Sequence, residues 1–303
     1  MKKLVDNGER VNCMSSSHVS VKEMFNAVKS VGVDVLRRSY NKEDSNELWQ
    51  SGRQCRCLCI TLQSSLFSAM GNFSTWIVDD SSQLSNIDLF FRAQHVAAKR
   101  VVFVGDYKQN TTVNVSYSVD ANIVSLHHSS AMMITDQYRM TPEIGNFVGN
   151  CLHENKLISR TKPAKGDCLE LVPVAGRTRS TGPGKYVNES EIEVLDTLQK
   201  RAESYGYQLT VLCMYQSAAH QAKQRLPGLK ILTVDSAQGK TIGSVAILLT
   251  NLNSFTQKTH RMNVAISRAR HQCFIVYRAR QAFNVFFSLR NFKPHELSPI
   301  LFS

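Results

Sequence analysis

Short apolar runs rich in β-branched residues alternate with stretches of helical period along most of the chain. Strands separated by helices favour a parallel sheet with helices packed on its faces. We therefore predict the α/β fold class. The predicted strands are residues 10–14, 33–36, 57–62, 75–78, 100–104, 168–173, 209–214, 230–234, 244–249 and 272–277.

Two helices have the clearest apolar period. Residues 19–31 place Val21 and Val28 on one face and stop before Gly32, a residue that commonly ends helices. Residues 188–202 begin with residues of the helix-capping type. A long polar loop ends near Ala131, so we predict two α/β lobes, residues 1–130 and 131–303.

The charge is strongly positive and unevenly distributed. The net charge is +12 at pH 7, which favours an anionic partner, most commonly nucleic acid. Between Asp235 and Glu296 the chain has basic residues and no acid, so a phosphate-facing surface is favoured over a merely solvated face. The bases are Lys240, Lys258, Arg261, Arg268, Arg270, Arg278, Arg280, Arg290 and Lys293.

The eight cysteines do not suggest a disulfide framework. Five of them stand singly in or beside apolar segments, as reduced buried thiols do. Cys55, Cys57 and Cys59 alternate, so on a strand they would share one face. A metal site is one interpretation, but no second CxxC or histidine pair completes a zinc motif, and a reduced interior strand is favoured.

No apolar run approaches the ~20 residues of a membrane helix. The first residues carry acids where a secretory signal would be apolar. We therefore expect no membrane partner and an intracellular location, in the cytoplasm or nucleus.

Polar residues follow two predicted strands of the first lobe. TWIVDDSSQ ends a strand in Asp79 and Asp80, and RVVFVGDYKQN ends the next in Gly105, Asp106 and Gln109. The carboxyl ends of parallel strands are where α/β proteins bind ligands, and paired carboxylates suit Mg²⁺. A helix N-cap is the alternative for the acidic pair.

Three further segments carry candidate chemistry in the second lobe. QYRMTPEIGNF contains Arg139, and LTVDSAQGK places Gln238 and Gly239 in a polar loop after a strand. HRMNVAISRAR predicts a helix that carries Arg261, Arg268 and Arg270. Arg261 and Arg268 are about two turns apart, so they would share a face.

In this order, the segments resemble the superfamily 1 helicases, in the branch that contains the nonsense-mediated decay RNA helicase and senataxin. VNCMSSSHVSVKEM is similar to motif Ia, DDSSQ to motif II and VGDYKQ to motif III. QYRMTPEIGNF resembles motif IV, TVDSAQG motif V and NVAISRAR motif VI. The resemblance implies two RecA-like domains that bind ATP and Mg²⁺.

The resemblance implies roles at the nucleotide. Asp79 would hold Mg²⁺ and Asp80 would position the attacking water. Gln109 would sense the γ-phosphate. Arg139 and Arg268, from the second lobe, would stabilise charge on the transferring phosphoryl group. Gln238 and Gly239 would also contact the nucleotide.

The resemblance also implies a single-stranded RNA or DNA partner, and protein partners in RNA processing or decay. Ser16, Ser17, Thr61 and Thr233 would hold the nucleic-acid backbone through hydroxyl and main-chain groups, with Lys240 as a further contact.

One family element does not match. The phosphate loop GxxxxGK[ST] should precede motif Ia by roughly 25 to 30 residues, and the motif occurs nowhere in the 303 residues. At Gln238, QGKT is followed by an apolar strand and not by a phosphate-binding helix. We expect a first lobe incomplete at its N-terminus. Two hypotheses remain: an ATP-dependent helicase motor, and a non-hydrolysing pseudo-helicase that only binds nucleic acid.

Overall fold

The computed structural model describes residues 1–37, 55–62, 73–83, 98–106, 108, 130–251 and 259–279. The chain divides into two compact units, Met1–Met132 and Met133–Ser303. Gln109, the predicted γ-phosphate sensor, lies outside the described residues.

The first unit contains a five-stranded sheet in the order β2-β3-β1-β4-β5, and each neighbouring pair is parallel. The central strands β1 and β3 are buried along their whole length, as their continuous apolar sequences predict. The strands are β1 Val11–Ser15, β2 Val35–Arg37, β3 Cys57–Thr61, β4 Thr75–Val78 and β5 Arg100–Phe103.

Two helices of the first unit are described, α1 (Lys2–Asp6) and α2 (His18–Ser30). Ser17 caps α2, because its side chain accepts a hydrogen bond from the backbone N–H of Ser20 at 3.1 Å. Helix α2 ends where Gly32 adopts a positive φ of 76°.

The second unit contains a five-stranded sheet in the order β12-β11-β13-β14-β8, again parallel throughout. The predicted α/β class with parallel sheets is therefore confirmed. The second unit also contains two short two-stranded sheets, β6–β7 and β9–β10. The strands are β6 Asp136–Gln137, β7 Ile158–Ser159, β8 Leu169–Val174, β9 Arg179–Gly182, β10 Lys185–Val187, β11 Leu209–Cys213, β12 Lys230–Thr233, β13 Ile242–Leu248 and β14 Ala269–Arg278.

Helices pack on this second sheet and form one large core with it. The predicted helix at 188–202 is interrupted at Val194, so it is two helices. The described helices are α3 Pro142–Leu152, α4 Glu189–Glu193, α5 Leu195–Ser204, α6 Gln216–Arg225 and α7 Thr259–Ser267.

Two local predictions were wrong. Arg268 follows the last residue of α7, and Arg270 lies on strand β14 and not on a helix, because α7 ends at Ser267. Cys55 precedes β3 and packs in a different cluster from Cys57 and Cys59. None of the described helices is long and apolar enough to cross a bilayer.

Candidate functional site

The acidic pair lies in the turn that follows β4. The backbone N–H of Asp79 donates to the carbonyl of Met14 on β1 at 2.8 Å, which fixes the start of the turn. Asp80 has a positive φ of 51°, a conformation that aspartate tolerates better than most residues. Burial, with a contribution from the neighbouring Asp80 carboxylate, raises the pKa of Asp79 to about 6.

The adjacent strand end contacts the same turn. The Oγ of Ser81 donates to the carbonyl of Val104 at 2.8 Å. A Cβ on Gly105 would lie 3.0 Å from both the Oγ of Ser81 and the backbone nitrogen of Ser82. Gly105 therefore allows the end of β5 to approach the acidic turn closely.

A chain of hydroxyl groups joins the predicted nucleic-acid segment to the acidic turn. The Oγ of Ser17 donates to the Oγ of Ser20 at 2.9 Å, and that of Ser20 donates to Oδ2 of Asp80 at 2.9 Å. Ser16 follows Ser15, which pairs with Thr61 in the sheet register. Two neighbouring strand ends thus carry Ser16, Ser17 and Thr61.

The acidic turn fits the donor set that Mg²⁺ prefers. Asp79 and Asp80 supply carboxylate oxygens, and Asp79 forms no ion pair within the part of the chain that the structure describes. Two adjacent carboxylates, one of them largely buried, are stabilised by a cation. Asp79 would bind the Mg²⁺ ion directly, whereas Asp80 would keep its hydrogen bond from Ser20.

In the second unit, Gln137 shapes the turn that presents Arg139. Its Oε1 accepts hydrogen bonds from the backbone N–H groups of Arg139 at 3.0 Å and Met140 at 2.8 Å. Its Nε2 donates to the Oγ of Ser159 at 2.6 Å. The side chain of Gln137 thus fixes the backbone of Arg139 by hydrogen bonding.

Arg139 and Arg268 meet at the end of α7. Nη1 of Arg139 donates to the carbonyl of Ser267 at 3.4 Å, and Nη2 of Arg268 donates to the Oγ of Ser267 at 3.0 Å. Nε of Arg268 donates to the carbonyl of Val264 at 3.1 Å, and the residue is only 2% exposed. The structure therefore brings together two arginines that are 129 positions apart in sequence (268 − 139).

The loop after β12 holds the motif V residues. Oγ1 of Thr233 and Oγ of Ser236 are 3.1 Å apart and hydrogen-bonded. Gly239 has a φ of 79°, which turns the chain towards β13. Gln238 and Lys240 hydrogen-bond through their backbone N–H groups to Asp235 at 3.3 Å and Ala237 at 3.1 Å. The loop is therefore a compact turn.

Arg261 fixes this loop from α7. Its Nη2 donates to Oδ2 of Asp235 at 2.9 Å and to the carbonyl of Met214 at 3.4 Å. The side chain of Arg261 is 10% exposed and that of Asp235 is 54% exposed, so the pair closes the loop against α7 while the carboxylate faces solvent.

A groove of about 1010 Å³ lies in the second unit beside this loop. Its walls are the β9–β10 hairpin, helix α6 along its whole length, and the end of β12 with the loop that follows, which contribute Thr233 and Asp235. The Oγ of Ser217 donates to the carbonyl of Tyr186 at 2.8 Å, and the rings of Tyr186 and Tyr215 are 5.1 Å apart in an edge-on contact. These contacts hold the hairpin against α6.

The groove is predominantly basic. Arg179, Lys185, Arg225 and Arg261 line it, whereas Asp235 is the acid among its lining residues. Arg179 and Arg225 share Glu189, at 3.4 and 2.9 Å. Lys185 forms no ion pair with any residue that the structure describes. Arg225 also lies 3.9 Å from Glu193, and Arg261 pairs with Asp235, so Lys185 supplies the positive charge of the groove that no described acid neutralises.

Of the predicted nucleic-acid residues, the groove contains Thr233 but not Lys240. The sequence analysis did not single out the groove residues Arg179, Lys185 and Arg225, because they precede the acid-free segment on which the charge argument rested. A signal was present: the strand Leu209–Cys213 is followed by a polar helix start at Gln216, the arrangement that places a helix N-terminus at a ligand.

Comparison with known proteins identifies the family of the chain. The AAA domain family AAA_12 matches residues 115–280, more than half of the chain. Helicase sen1 of Schizosaccharomyces pombe is 24% identical over 292 residues, which cover 82% of this chain and 17% of that protein. Regulator of nonsense transcripts 1 of Dictyostelium discoideum is 23% identical over 246 residues, 67% of this chain and 18% of that protein.

Viral helicases share the fold. The solved structure of Arterivirus nonstructural protein 10 (helicase) with DNA matches 94% of this chain and 58% of that chain, with a TM-score of 0.59 at 15% identity. Replicase polyprotein 1ab of Bat coronavirus 512/2005 is 26% identical over 224 residues, 71% of this chain and 3% of that protein. The chain thus spans only a part of each relative.

The fold and the ordered motifs define a superfamily 1 helicase-type protein with RecA-like α/β architecture. The chain belongs to the AAA domain family AAA_12, in the superfamily 1 branch that includes sen1 and the regulator of nonsense transcripts.

Proposed function

We propose that this chain is the core of an ATP-dependent motor that binds single-stranded RNA or DNA in the groove of the second unit. The observation that carries the proposal is that Thr233 lies in one groove with four basic residues. Hydroxyl and basic side chains lining a channel are the usual contacts to a nucleic-acid backbone. The net charge of +12 favours the same partner.

The start of α6 supports phosphate binding in the groove. Helix α6 begins at Gln216, and its N-cap residue Tyr215 makes no side-chain capping hydrogen bond. The first N–H groups of a helix have no intrahelical partner, and they attract anions together with the helix dipole. Gln216 and Ser217 both line the groove, so a phosphate there would accept these hydrogen bonds.

The nucleotide chemistry is assigned to four described residues. Asp79 would hold Mg²⁺, which neutralises phosphate charge when bound. Asp80, held by Ser20 at 2.9 Å, would orient a water molecule. Arg139 and Arg268 would stabilise charge on the phosphoryl group. Gln109, Gln238 and Gly239 remain proposed contacts to the nucleotide.

Binding of a fluorescent single-stranded RNA tests the groove. The double substitution Arg179→Glu and Lys185→Glu should weaken binding by at least about tenfold near 0.1 M salt. The slope of log K against log salt should become shallower by about 1.4, since each lost phosphate contact contributes about 0.7 for single strands. Both side chains are exposed, so the fold should be unaffected.

A matched control is the double substitution Lys156→Glu and Lys200→Glu. These exposed lysines belong to the same unit, lie outside the groove, and pair with Glu154 and Asp196. The control makes the same change in net charge. Equal weakening by both double variants would show that only overall charge matters, and the groove assignment would fail.

ATP turnover in the presence of RNA tests the motor. Turnover should depend on RNA, and Arg139→Ala should reduce it on the order of 10³-fold, as loss of an arginine finger does. RNA binding by the wild type without any turnover would instead support the non-hydrolysing alternative. Circular dichroism would check that Arg139→Ala remains folded.

A further inference from the structure

Three cysteine thiols meet in the interior of the first unit. The sheet register pairs Cys13 on β1 with Cys59 on β3, and Cys57 points to the same side of β3. The three Sγ atoms lie within 4.8 Å of one another, and those of Cys13 and Cys57 are 3.9 Å apart. The sequence did not reveal this cluster, because Cys13 stands 44 positions before Cys57.

These distances suit one metal ion. Metal–sulfur bonds of about 2.3 Å at trigonal angles place sulfur atoms about 4.0 Å apart. The spacing of Cys13 and Cys57 is already close to that value. Sγ of Cys59 lies within 4.8 Å of the other two sulfur atoms, so all three can approach one ion.

A fourth sulfur lies beside the cluster. Sδ of Met1 is 3.6 Å from Sγ of Cys13 and 3.7 Å from Sγ of Cys57. Cys13, Cys57 and Cys59 are each 0% exposed, so water is excluded. Thiolates with a thioether in a dry, apolar setting form a soft ligand set, which favours Cu(I) over hard cations.

We propose that Cys13, Cys57 and Cys59 form a buried trithiolate site for a soft thiophilic cation, and that its ligand set selects Cu(I). Binding releases thiol protons to solvent and involves no change of oxidation state. The bound ion would cross-link β1 to β3, the two strands that lead to Ser16 and Thr61. Metal binding here does not require the proposed nucleotide or nucleic-acid binding.

Titration of the reduced full chain with Cu(I) under anaerobic conditions, against a chromogenic Cu(I) chelator, tests the site. We expect one equivalent of Cu(I) to be retained and to raise the thermal midpoint of the first unit. Cys57→Ser and Cys59→Ser should each weaken retention by at least about tenfold, since each removes a thiolate. Cys213→Ser, at an equally buried thiol of the second unit, should retain the ion.

Cu(I) X-ray absorption on the wild type keeps the test independent of how well the variants fold. A shell of sulfur neighbours alone supports the site. A shell containing nitrogen or oxygen, or retention by the wild type no greater than by a Cys13→Ala/Cys57→Ala/Cys59→Ala variant, would overturn it. Preferential retention of Zn²⁺ over Cu(I) would overturn the metal assignment.

Discussion

At the scale of single residues, the most unusual buried group is Glu191. It is 0% exposed, and its carboxylate accepts hydrogen bonds from the backbone N–H and Oγ1 of Thr250 at 2.8 and 2.7 Å. Burial raises the pKa of Glu191 to about 8, although the bonds from Thr250 act against the increase. Thr250 has a φ of 56°, so Glu191 holds a strained turn at the end of β13.

The raised pKa predicts how stability depends on pH. The folded state binds the proton of Glu191 more tightly than the unfolded state, so its stabilising effect is present at low pH and is lost as pH rises towards about 8. The free energy of unfolding should fall by up to about 1.4 kcal/mol per pH unit from this group. Glu191→Gln should remove that slope, because its amide does not titrate; the amide oxygen can still accept from the backbone N–H of Thr250, and the amide NH2 can donate to Oγ1.

Denaturant unfolding at several pH values measures the effect. Glu193→Gln, at a surface position two residues further along the chain, provides a control that should keep the wild-type slope. A pH dependence of unfolding that is the same in Glu191→Gln as in the wild type would contradict the assignment.

At the scale of elements, helix α3 and the turn of Gln137 are packed tightly together. A Cβ on Gly145 would lie 2.3 Å from the Oγ of Ser159 and 2.6 Å from Nε2 of Gln137. Gly145→Ala should therefore displace the side chain that fixes the backbone of Arg139. We expect a loss of about 1–3 kcal/mol in the free energy of unfolding, as overpacking typically costs.

Gly149 provides a matched comparison on the same helix. A Cβ there would meet Cβ of Leu157 at 3.4 Å, an ordinary contact. Gly149→Ala should leave stability unchanged or raise it by up to about 1 kcal/mol, because alanine is the better helix former. Chemical denaturation of both variants measures the change in the free energy of unfolding at each position. Equal changes at the two positions would show that the contact with Gln137 does not affect stability.

The elements themselves were largely predictable from sequence. Residues 75–78 match β4, and most other predicted strands differ by one to three residues at an end, because apolar β-rich runs bounded by polar turns leave few alternatives. The helix predicted for residues 260–270 extends three residues beyond the observed end of α7 at Ser267. Helical periodicity alone does not show where the helix ends and a buried β-strand such as Ala269–Arg278 begins.

Only the parts of the candidate site that consist of residues adjacent in sequence could be predicted. Asp79 and Asp80 are adjacent in sequence, whereas the contact of Arg139 with Ser267 joins residues 128 positions apart. The groove combines a hairpin, a helix start and a loop that carry no shared sequence signal. Likewise, Cys13 joins Cys57 and Cys59 only through the strand order of the sheet.

At the scale of the whole molecule, the two units carry different parts of the proposed function. The first unit, Met1–Met132, holds the acidic turn and the hydroxyl chain that joins Asp80 to Ser17. The second unit, Met133–Ser303, holds both arginines and the basic groove. In the proposed motor, coupling of RNA binding to ATP turnover would involve residues of both units.

The central claim is that single-stranded nucleic acid binds in the groove of the second unit. Photocrosslinking of the full chain to a photoreactive single-stranded RNA, followed by mass spectrometry, tests it most directly. We expect crosslinked peptides from Arg179–Gly182, Lys185–Val187 or the start of α6, and we expect the crosslinks to be lost at high salt. Crosslinks confined to peptides outside the groove would contradict it.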